Sequence, residues 1–301
     1  MKKVVLEDET LRDGLQLEEK VLSLEEKVNI FNLLVDAGVK RIQVGSFVHP
    51  KIVPQMADTE ELIRLTLKTP GVLITGLILN EKGLERALRC GLHHVSMSVS
   101  ASDTHSRKNA NLSAADALAA MTGLIKRATD ARLHVRAGVQ CTFGCVYEGG
   151  IAEDKVISTF KALASSGAKE LNLADTTGMA NPVQIRRMIQ RVKEVLPKQD
   201  LSLHLHDTRG LGLANMFAGY EAGVTIFDVA TGGLGGCPFV KGATGNVPTE
   251  DAVNLFSQLN VDAGINLDKL VIVVDKLERI IGRKLPGRMS HVLKNRGDAC
   301  Q

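Results

Sequence analysis

The chain has 301 residues, of which 44% are hydrophobic and 24% are charged, a composition typical of a folded protein rather than a disordered one. The formal net charge of +3 lacks the basic excess of a nucleic-acid-binding protein, and 3% aromatic residues disfavour a base-stacking surface. The longest apolar runs are far shorter than the about 20 residues of a membrane-spanning helix. We therefore expect neither a nucleic-acid partner nor a membrane association.

The cysteines and the acidic start of the chain bear on cellular location. The five cysteines form an odd set without a Cys-x-x-Cys pair, which predicts a reducing compartment and no disulfide framework. Glu7, Asp8 and Glu9 interrupt the start before the apolar region of a secretory signal could develop. These features predict a cytoplasmic protein.

Short β-type runs alternate with amphipathic helical stretches along the chain. In chain order, the predicted strands and the helices that follow them are Val4–Glu7 and Leu24–Ala37, Arg41–Ser46 and Thr59–Leu67, Val72–Leu79 and Lys82–Arg89, His94–Ser98 and Ser113–Asp130, His134–Gln140 and Glu153–Ser166, Glu170–Ala174 and Pro182–Val195, Leu201–His206 and Leu211–Ala222, and Ile226–Ala230 and Thr249–Leu259. A last helix is predicted at Asp268–Ile281. Glycines separate several helices from the next strand, as expected at helix ends.

Eight βα units predict an α/β protein with a parallel (β/α)8 TIM barrel. The main rival is a doubly wound open sheet, but the first βα turn contains Arg12, Asp13 and Gly14 rather than a phosphate-binding glycine turn. We expect a single domain over residues 1–301, with the barrel at about residues 4–260 and a C-terminal helical segment at about 261–301. That leaves too little chain for a regulatory domain.

Polar residues at the predicted carboxyl ends of strands 1 and 7 suggest a metal site. His204 and His206 are two residues apart on a strand, so both imidazoles leave its inner face, and Asp13 follows the neighbouring strand 1. Imidazole and carboxylate ligands suit Mg2+ or Mn2+, and Zn2+ or Co2+ are also compatible. The alternative is a His-x-His pair that is merely hydrogen-bonded inside the barrel.

The loop after strand 8 has six glycines among residues 232–246 and contains Cys237. We interpret this loop as a mobile lid that brings Cys237 over the substrate and excludes water. The alternative for this cysteine is a small inert side chain. Cys141 and Cys145 are spaced poorly for metal binding, so burial or a loop role is expected for both.

Five segments of the chain resemble the 3-hydroxy-3-methylglutaryl-CoA lyase family, which belongs to the metal-dependent lyase and acyltransferase barrels. The segments are Thr10–Gln16, Ser46–Asp58, His204–Thr208, Gly233–Pro238 and Gly242–Asn246. The resemblance covers most of the chain and implies a TIM barrel, a divalent metal, an acyl-CoA substrate and a homodimer. It also implies a retro-Claisen cleavage that releases acetyl-CoA and a 3-oxo acid.

The resemblance assigns roles to residues at matching positions. Arg12 would polarise the thioester carbonyl and stabilise the enolate, Cys237 would take part in proton transfer, and Asp175 would be a further active-site acid. The implied metal ligands are Asp13, His204, His206 and Asn246. Gln16 and Gln43 are the candidates for substrate binding.

Two departures from the family pattern leave alternatives open. Gln43 stands where the lyases carry an acid, and the segment Glu9–Arg12 is similar to the related synthases. One alternative is therefore an acyltransferase that condenses an acyl-CoA with a 2-oxo acid, and another is a non-catalytic metal-binding barrel. The short region after strand 8 favours the lyase over the longer synthases.

Overall fold

The computed structural model describes residues 3–236 and 244–294, and within them eight parallel strands close into a barrel in chain order. The strands are β1 (Val5–Asp8), β2 (Arg41–Ser46), β3 (Leu73–Leu77), β4 (His94–Ser100), β5 (His134–Gln140), β6 (Glu170–Asp175), β7 (Asp200–Leu205) and β8 (Ile226–Val229). Residues Val5 to Asp8 pair in parallel with Ile226 to Val229, which closes the barrel. The predicted TIM barrel is confirmed.

The helices surround the barrel in the predicted order. They are α1 (Leu24–Asp36), α2 (Thr59–Thr66), α3 (Glu81–Arg89), α4 (Asp103–Ala110), α5 (Ala114–Asp130), α6 (Glu153–Ser165), α7 (Pro182–Val195), α8 (Gly212–Glu221), α9 (Thr249–Gln258), α10 (Leu267–Ile281) and α11 (Arg288–Lys294). None of the described helices is long and apolar enough to cross a membrane.

Helix α4 does not appear among the sequence predictions, and α11 is predicted only as part of the C-terminal helical segment at about 261–301. The α4 sequence is polar and buries His105 and Ser106 rather than an apolar stripe, so it carries no hydrophobic period. Its start is fixed instead by Ser102, whose hydroxyl accepts a hydrogen bond from the His105 backbone N–H at 3.0 Å. Local capping, not amphipathicity, therefore defines this helix.

Strand β7 places its leucines outward and its polar residues inward, which agrees with the inner face predicted for the histidines. Leu203 packs so closely against α8 that a Cβ added at Gly219 would lie 2.2 Å from its Cδ1. Ser202 faces the interior, where its hydroxyl accepts a hydrogen bond from Asn172 Nδ2 at 3.0 Å. The same alternation turns His204 into the barrel.

The amino-terminal half of the barrel interior contains an ion network that we call the charged floor, made of Glu7, Arg41, Arg136, Glu170 and Asp228. Arg41 Nη1 lies 2.8 Å from Glu170, and Arg136 Nε lies 3.3 Å from the same carboxylate. Arg136 also pairs with Glu7 and Asp228. All five residues are largely withdrawn from solvent, so each charge depends on its partners rather than on water.

The chain after α9 packs on the outside of the barrel and then returns to its carboxyl-terminal end. Helix α10 packs against α1, and α11 packs against α9 and α10. Between α10 and α11, the Gly287 backbone N–H donates to the Gly232 carbonyl at 3.1 Å. The C-terminal segment therefore supports the beginning of the loop that follows β8. The assignment of one domain to residues 1–301 stays a prediction.

Candidate active site

A single turn of π-helix after β1 (Thr10–Gly14) carries Arg12 and Asp13 into the mouth of the barrel. The Gly14 backbone N–H donates to the Glu9 carbonyl at 3.0 Å, and the Thr10 backbone N–H donates to Asp8 Oδ1 at 2.9 Å. All five residues of the turn are buried. The turn is thus a buried, hydrogen-bonded segment that fixes the positions of the Arg12 and Asp13 backbone.

The three residues predicted from strand ends do converge. Asp13, His204 and His206 each offer a ligand atom within 4.8 Å of the other two. The two imidazole Nε2 atoms are 3.0 Å apart, and Asp13 Oδ2 lies 3.7 Å from His206 Nε2. All three side chains are buried.

Asn246 joins this cluster from the end of the glycine-rich loop. It forms an antiparallel bridge with His206, and the Val247 backbone N–H donates to the Leu205 carbonyl at 3.2 Å. Asn246 Nδ2 donates to Asp13 Oδ2 at 2.7 Å, while its buried Oδ1 has no hydrogen-bond partner among the described residues. The structure therefore brings together the four residues that the family resemblance marks as metal ligands.

The donor set fits a divalent cation. Two nitrogens 3.0 Å apart match neighbouring ligands at right angles around an ion with metal–nitrogen distances of about 2.1 Å. An unpartnered amide oxygen and an ionised carboxylate complete a mixed nitrogen and oxygen set. The other ring nitrogen of His204, Nδ1, lies 3.1 Å from Asp228 Oδ2, the kind of contact that orients a ligand histidine.

The charges around this cluster are strongly coupled. Burial alone would lower the pKa of His204, but hydrogen bonds to Asp228 and Glu9 outweigh it and raise this pKa to about 10. Burial works to raise the pKa of Asp13, but Arg12 and the two histidines hold it below its usual range. A histidine must be neutral to bind a metal, so cation binding here would displace the proton of His204.

Arg12 lies beside the cluster and is held by three acceptors. Its Nη2 pairs with Glu9 Oε2, its Nη1 with Asp13 Oδ1 and its Nε with Gln43 Oε1. Gln43 links this network to β4, because its Nε2 donates to Ser96 Oγ at 3.0 Å. Both predicted residues, Arg12 and Gln43, therefore lie in the site, and they touch each other.

Gln16 and Asp175 occupy the edges of the site. Gln16 Nε2 donates to Asp13 Oδ1 at 3.3 Å. The Asp175 carboxylate accepts the backbone N–H groups of Met179 at 2.8 Å and Ala180 at 3.1 Å, which holds the loop after β6. Burial raises the pKa of Asp175 to about 6, against the opposing effect of these N–H groups.

Sequence reasoning missed two buried carboxylates, Glu9 and Asp228, which with His204 form a second close group. The signal for Asp228 was present: it alternates with Phe227 and Val229 in β8, and it is in register with His204. Its carboxylate and that of Glu9 pair with Arg136 and Arg12, so both acids have cationic partners beside His204.

The cysteine predictions have different outcomes. Cys237, the predicted lid residue, lies outside the described residues. Cys141 and Cys145 are buried at and after the end of β5, as expected for cysteines without a metal role.

The barrel carries an arginine at the carboxyl ends of its strands, beside a cluster of imidazole, carboxylate and amide groups. This combination is typical of metal-dependent (β/α)8 barrel enzymes. Comparison with known protein families assigns the chain to one family. The HMGL-like family model matches residues 3–276 of the chain. The chain therefore belongs to the HMGL-like family.

Individual relatives agree with this assignment. The chain is 37% identical to a hydroxymethylglutaryl-CoA lyase of Bacillus subtilis over 294 residues, which cover 98% of each chain. It is also 37% identical to the (R)-citramalyl-CoA lyase of Chloroflexus aurantiacus, over 95% of this chain and 93% of the relative. An HMG-CoA lyase from Acinetobacter baumannii, solved in complex with coenzyme A and 3-methylmalate, superposes with a TM-score of 0.90 at 38% identity, covering 96% of this chain and 94% of that one. The chain is thus an enzyme of a lyase family.

Proposed function

We propose that the protein cleaves 3-hydroxy-3-methylglutaryl-CoA, or a close 3-hydroxyacyl-CoA analogue, into acetyl-CoA and a 3-oxo acid. The observation that carries this proposal is the cluster of Asp13, His204 and His206 beside Arg12, all buried at the barrel mouth. Its donor set suits a divalent cation, and its neighbouring guanidinium suits a developing enolate. The names of the relatives support the lyase over the condensing enzyme and the non-catalytic barrel.

The cation would be held by Asp13, His204, His206 and Asn246, with Mg2+ or Mn2+ as the proposed ion and Zn2+ or Co2+ as further compatible ions. When bound, such a cation holds a substrate oxygen and lowers the pKa of a hydroxyl group. The site is preorganised, because Arg12 keeps Asp13 ionised and Asp228 orients His204.

Arg12 is proposed to bind the thioester carbonyl of the acyl-CoA. Its guanidinium is fixed by Glu9, Asp13 and Gln43, and its further N–H donors remain for a substrate oxygen. A preorganised cation at this oxygen stabilises the negative charge that develops there when the carbon–carbon bond breaks.

The proposed cleavage balances as a retro-Claisen reaction. A base takes the proton of the tertiary hydroxyl, the C2–C3 bond breaks, and its electron pair moves into the thioester enolate. Protonation of the C2 carbon then gives acetyl-CoA, while C3 becomes the carbonyl of acetoacetate. Asp175 is proposed as a proton-exchanging group, since a carboxyl with a pKa of about 6 can change its charge near neutral pH. The assignment of Cys237 to proton transfer stays a prediction.

The substrate is tested by comparing two acyl-CoA thioesters. Purified protein with Mg2+ or Mn2+ is given 3-hydroxy-3-methylglutaryl-CoA or (R)-citramalyl-CoA, and release of acetyl-CoA is measured in each case. A parallel reaction offers acetyl-CoA and a panel of 2-oxo acids and measures free CoA. We expect acetyl-CoA release with the first substrate and its loss on chelation or in His204→Ala.

Condensation without cleavage would favour the acyltransferase, and activity that persists in His204→Ala would refute the metal role. Cleavage of (R)-citramalyl-CoA alone would reassign the substrate within the same chemistry. The homodimer and the cytoplasmic location stay predictions from the sequence.

A further inference from the structure

Glu9 lies between Arg12 and the candidate cation cluster, and the family resemblance assigns it no role. Its Oε2 pairs with Arg12 Nη2 and lies 3.4 Å from His204 Nδ1. One carboxylate oxygen therefore joins the arginine proposed to bind the acyl carbonyl to a histidine proposed to bind the cation. The side chain is buried, with 1% of its surface exposed.

The backbone of Glu9 is fixed as firmly as its side chain. Its N–H donates to the Val229 carbonyl of β8 at 2.8 Å, and its carbonyl accepts from the N–H groups of Arg12 and Gly14, both at 3.0 Å. The residue thus sits between β1, β8 and the π-helical turn, and three backbone hydrogen bonds hold it there.

The charges around Arg12 make Glu9 its main counterion. Asp13 is the other carboxylate that contacts the guanidinium, and Asp13 also belongs to the cation cluster, where its negative charge is shared. Gln43, the third acceptor, is neutral. A buried guanidinium requires a paired anion, and Glu9 supplies one that the cation cluster does not draw on directly.

Position 43 is a poor place for that anion in this chain. Gln43 Nε2 lies 3.5 Å from Glu7 Oε1, so a carboxylate at position 43 would face the Glu7 carboxylate. Glu7 is itself fixed by the hydroxyl of Thr75 at 2.6 Å and by two arginines of the charged floor. The amide of Gln43 can donate to Glu7 and accept from Arg12 at the same time, which a carboxylate cannot do.

We propose that Glu9 is a positioning residue that fixes Arg12 and His204 relative to each other through one shared carboxylate oxygen, and that Gln43 is neutral because the charged floor excludes an acid there. The part that concerns Arg12 rests on the proposed function. The part that concerns His204 rests only on the cation site proposed there, since it predicts cation affinity and not cleavage.

The test uses Glu9→Gln, which keeps the shape of the side chain and removes its charge. Mn2+ affinity is measured by calorimetry without substrate, and kcat and KM are measured for 3-hydroxy-3-methylglutaryl-CoA with saturating metal. We expect Mn2+ to bind about tenfold more weakly and kcat to fall about 10- to 100-fold with a much smaller change in KM. The double variant Glu9→Gln with Gln43→Glu should stay impaired, because its new carboxylate faces Glu7.

The matched control is Asp58→Asn, which removes the carboxylate from the buried Lys27 outside the barrel. This control should lower the melting temperature and leave kcat and Mn2+ affinity unchanged. Glu9→Gln would show the same pattern if the role of Glu9 were purely structural. If Glu9→Gln does not fold, Glu9→Asp withdraws the shared oxygen while keeping the charge, and weaker Mn2+ binding is again expected.

The proposal is overturned if Glu9→Gln, or Glu9→Asp in its place, binds Mn2+ and turns over within about twofold of the parent. It is also overturned if Gln43→Glu restores the Glu9→Gln variant to parental values. If the parent does not cleave the thioester, the proposed function fails, and Mn2+ affinity alone still decides whether Glu9 positions His204.

Discussion

Replacing Glu250 by Gln should remove a pH dependence from the stability of this protein. Glu250 lies in α9, with Oε2 accepting the Gly232 backbone N–H at 3.0 Å and Oε1 without a hydrogen-bond partner among the described residues. Burial raises the pKa of its carboxyl from 4.5 to about 8. The folded protein therefore keeps this group protonated at neutral pH, whereas the unfolded chain releases the proton.

The sign and size of the effect follow from these two values. The folded state binds the proton of Glu250 more tightly than the unfolded state does. The contribution of this proton to the free energy of unfolding is therefore complete below pH 4.5 and is lost as the pH rises to about 8. Each pH unit within that window costs about 1.4 kcal/mol, so the wild type should lose about 3 kcal/mol between pH 5 and pH 7 through this group alone. Glu250→Gln is neutral throughout and should not show this loss.

The assay is urea unfolding, followed by circular dichroism, at several pH values between 5 and 8. Other titrating groups contribute equally to both proteins, so the difference between their slopes isolates Glu250. Glu61→Gln, which changes an exposed glutamate of α2, is the control and should follow the wild type. If the wild type and Glu250→Gln show parallel slopes, the reasoning about a buried neutral carboxyl is refuted.

Three further substitutions test other contacts. Asp228→Asn should weaken Mn2+ binding about 10- to 100-fold, because it removes the carboxylate that orients His204, and parental affinity in calorimetry would contradict this. Gly235→Ala should also weaken Mn2+ binding, since a Cβ there would lie 2.5 Å from Asn246 Nδ2; the folded state, checked by circular dichroism, should persist. Gly219→Ala should instead destabilise the fold by about 1–3 kcal/mol through overpacking in urea unfolding, while Mn2+ affinity stays the same.

The fold was largely predictable because its signal is repeated. Eight strands buried on both faces and their amphipathic helices give the same alternation many times, so an error of one or two residues at an end changes nothing. Helix α4 was not predicted because it is polar and is defined by Ser102 at its start. The convergence of Asp13, His204 and His206 followed from barrel geometry alone.

The connections between site residues were not predictable in the same way. The contact between Glu9 and His204 depends on the π-helical turn after β1, whose extra residue per turn leaves no periodic trace in five residues. The ligand position of Asn246 needed the family resemblance, because it lies far along the chain in an irregular segment beside His206. Asp228, by contrast, could have been found from the alternation in β8.

The charged floor links two regions of the barrel that are commonly assigned separate tasks, with chemistry at one end and stability at the other. Here a continuous series of contacts runs from Arg41 through Glu170 and Arg136 to Asp228, and from Asp228 to His204. Engineering that replaces the floor with apolar packing to gain heat resistance would therefore remove the anchor of a proposed ligand histidine. In this barrel, the residues most attractive for stabilisation would also be those that support the proposed cation site.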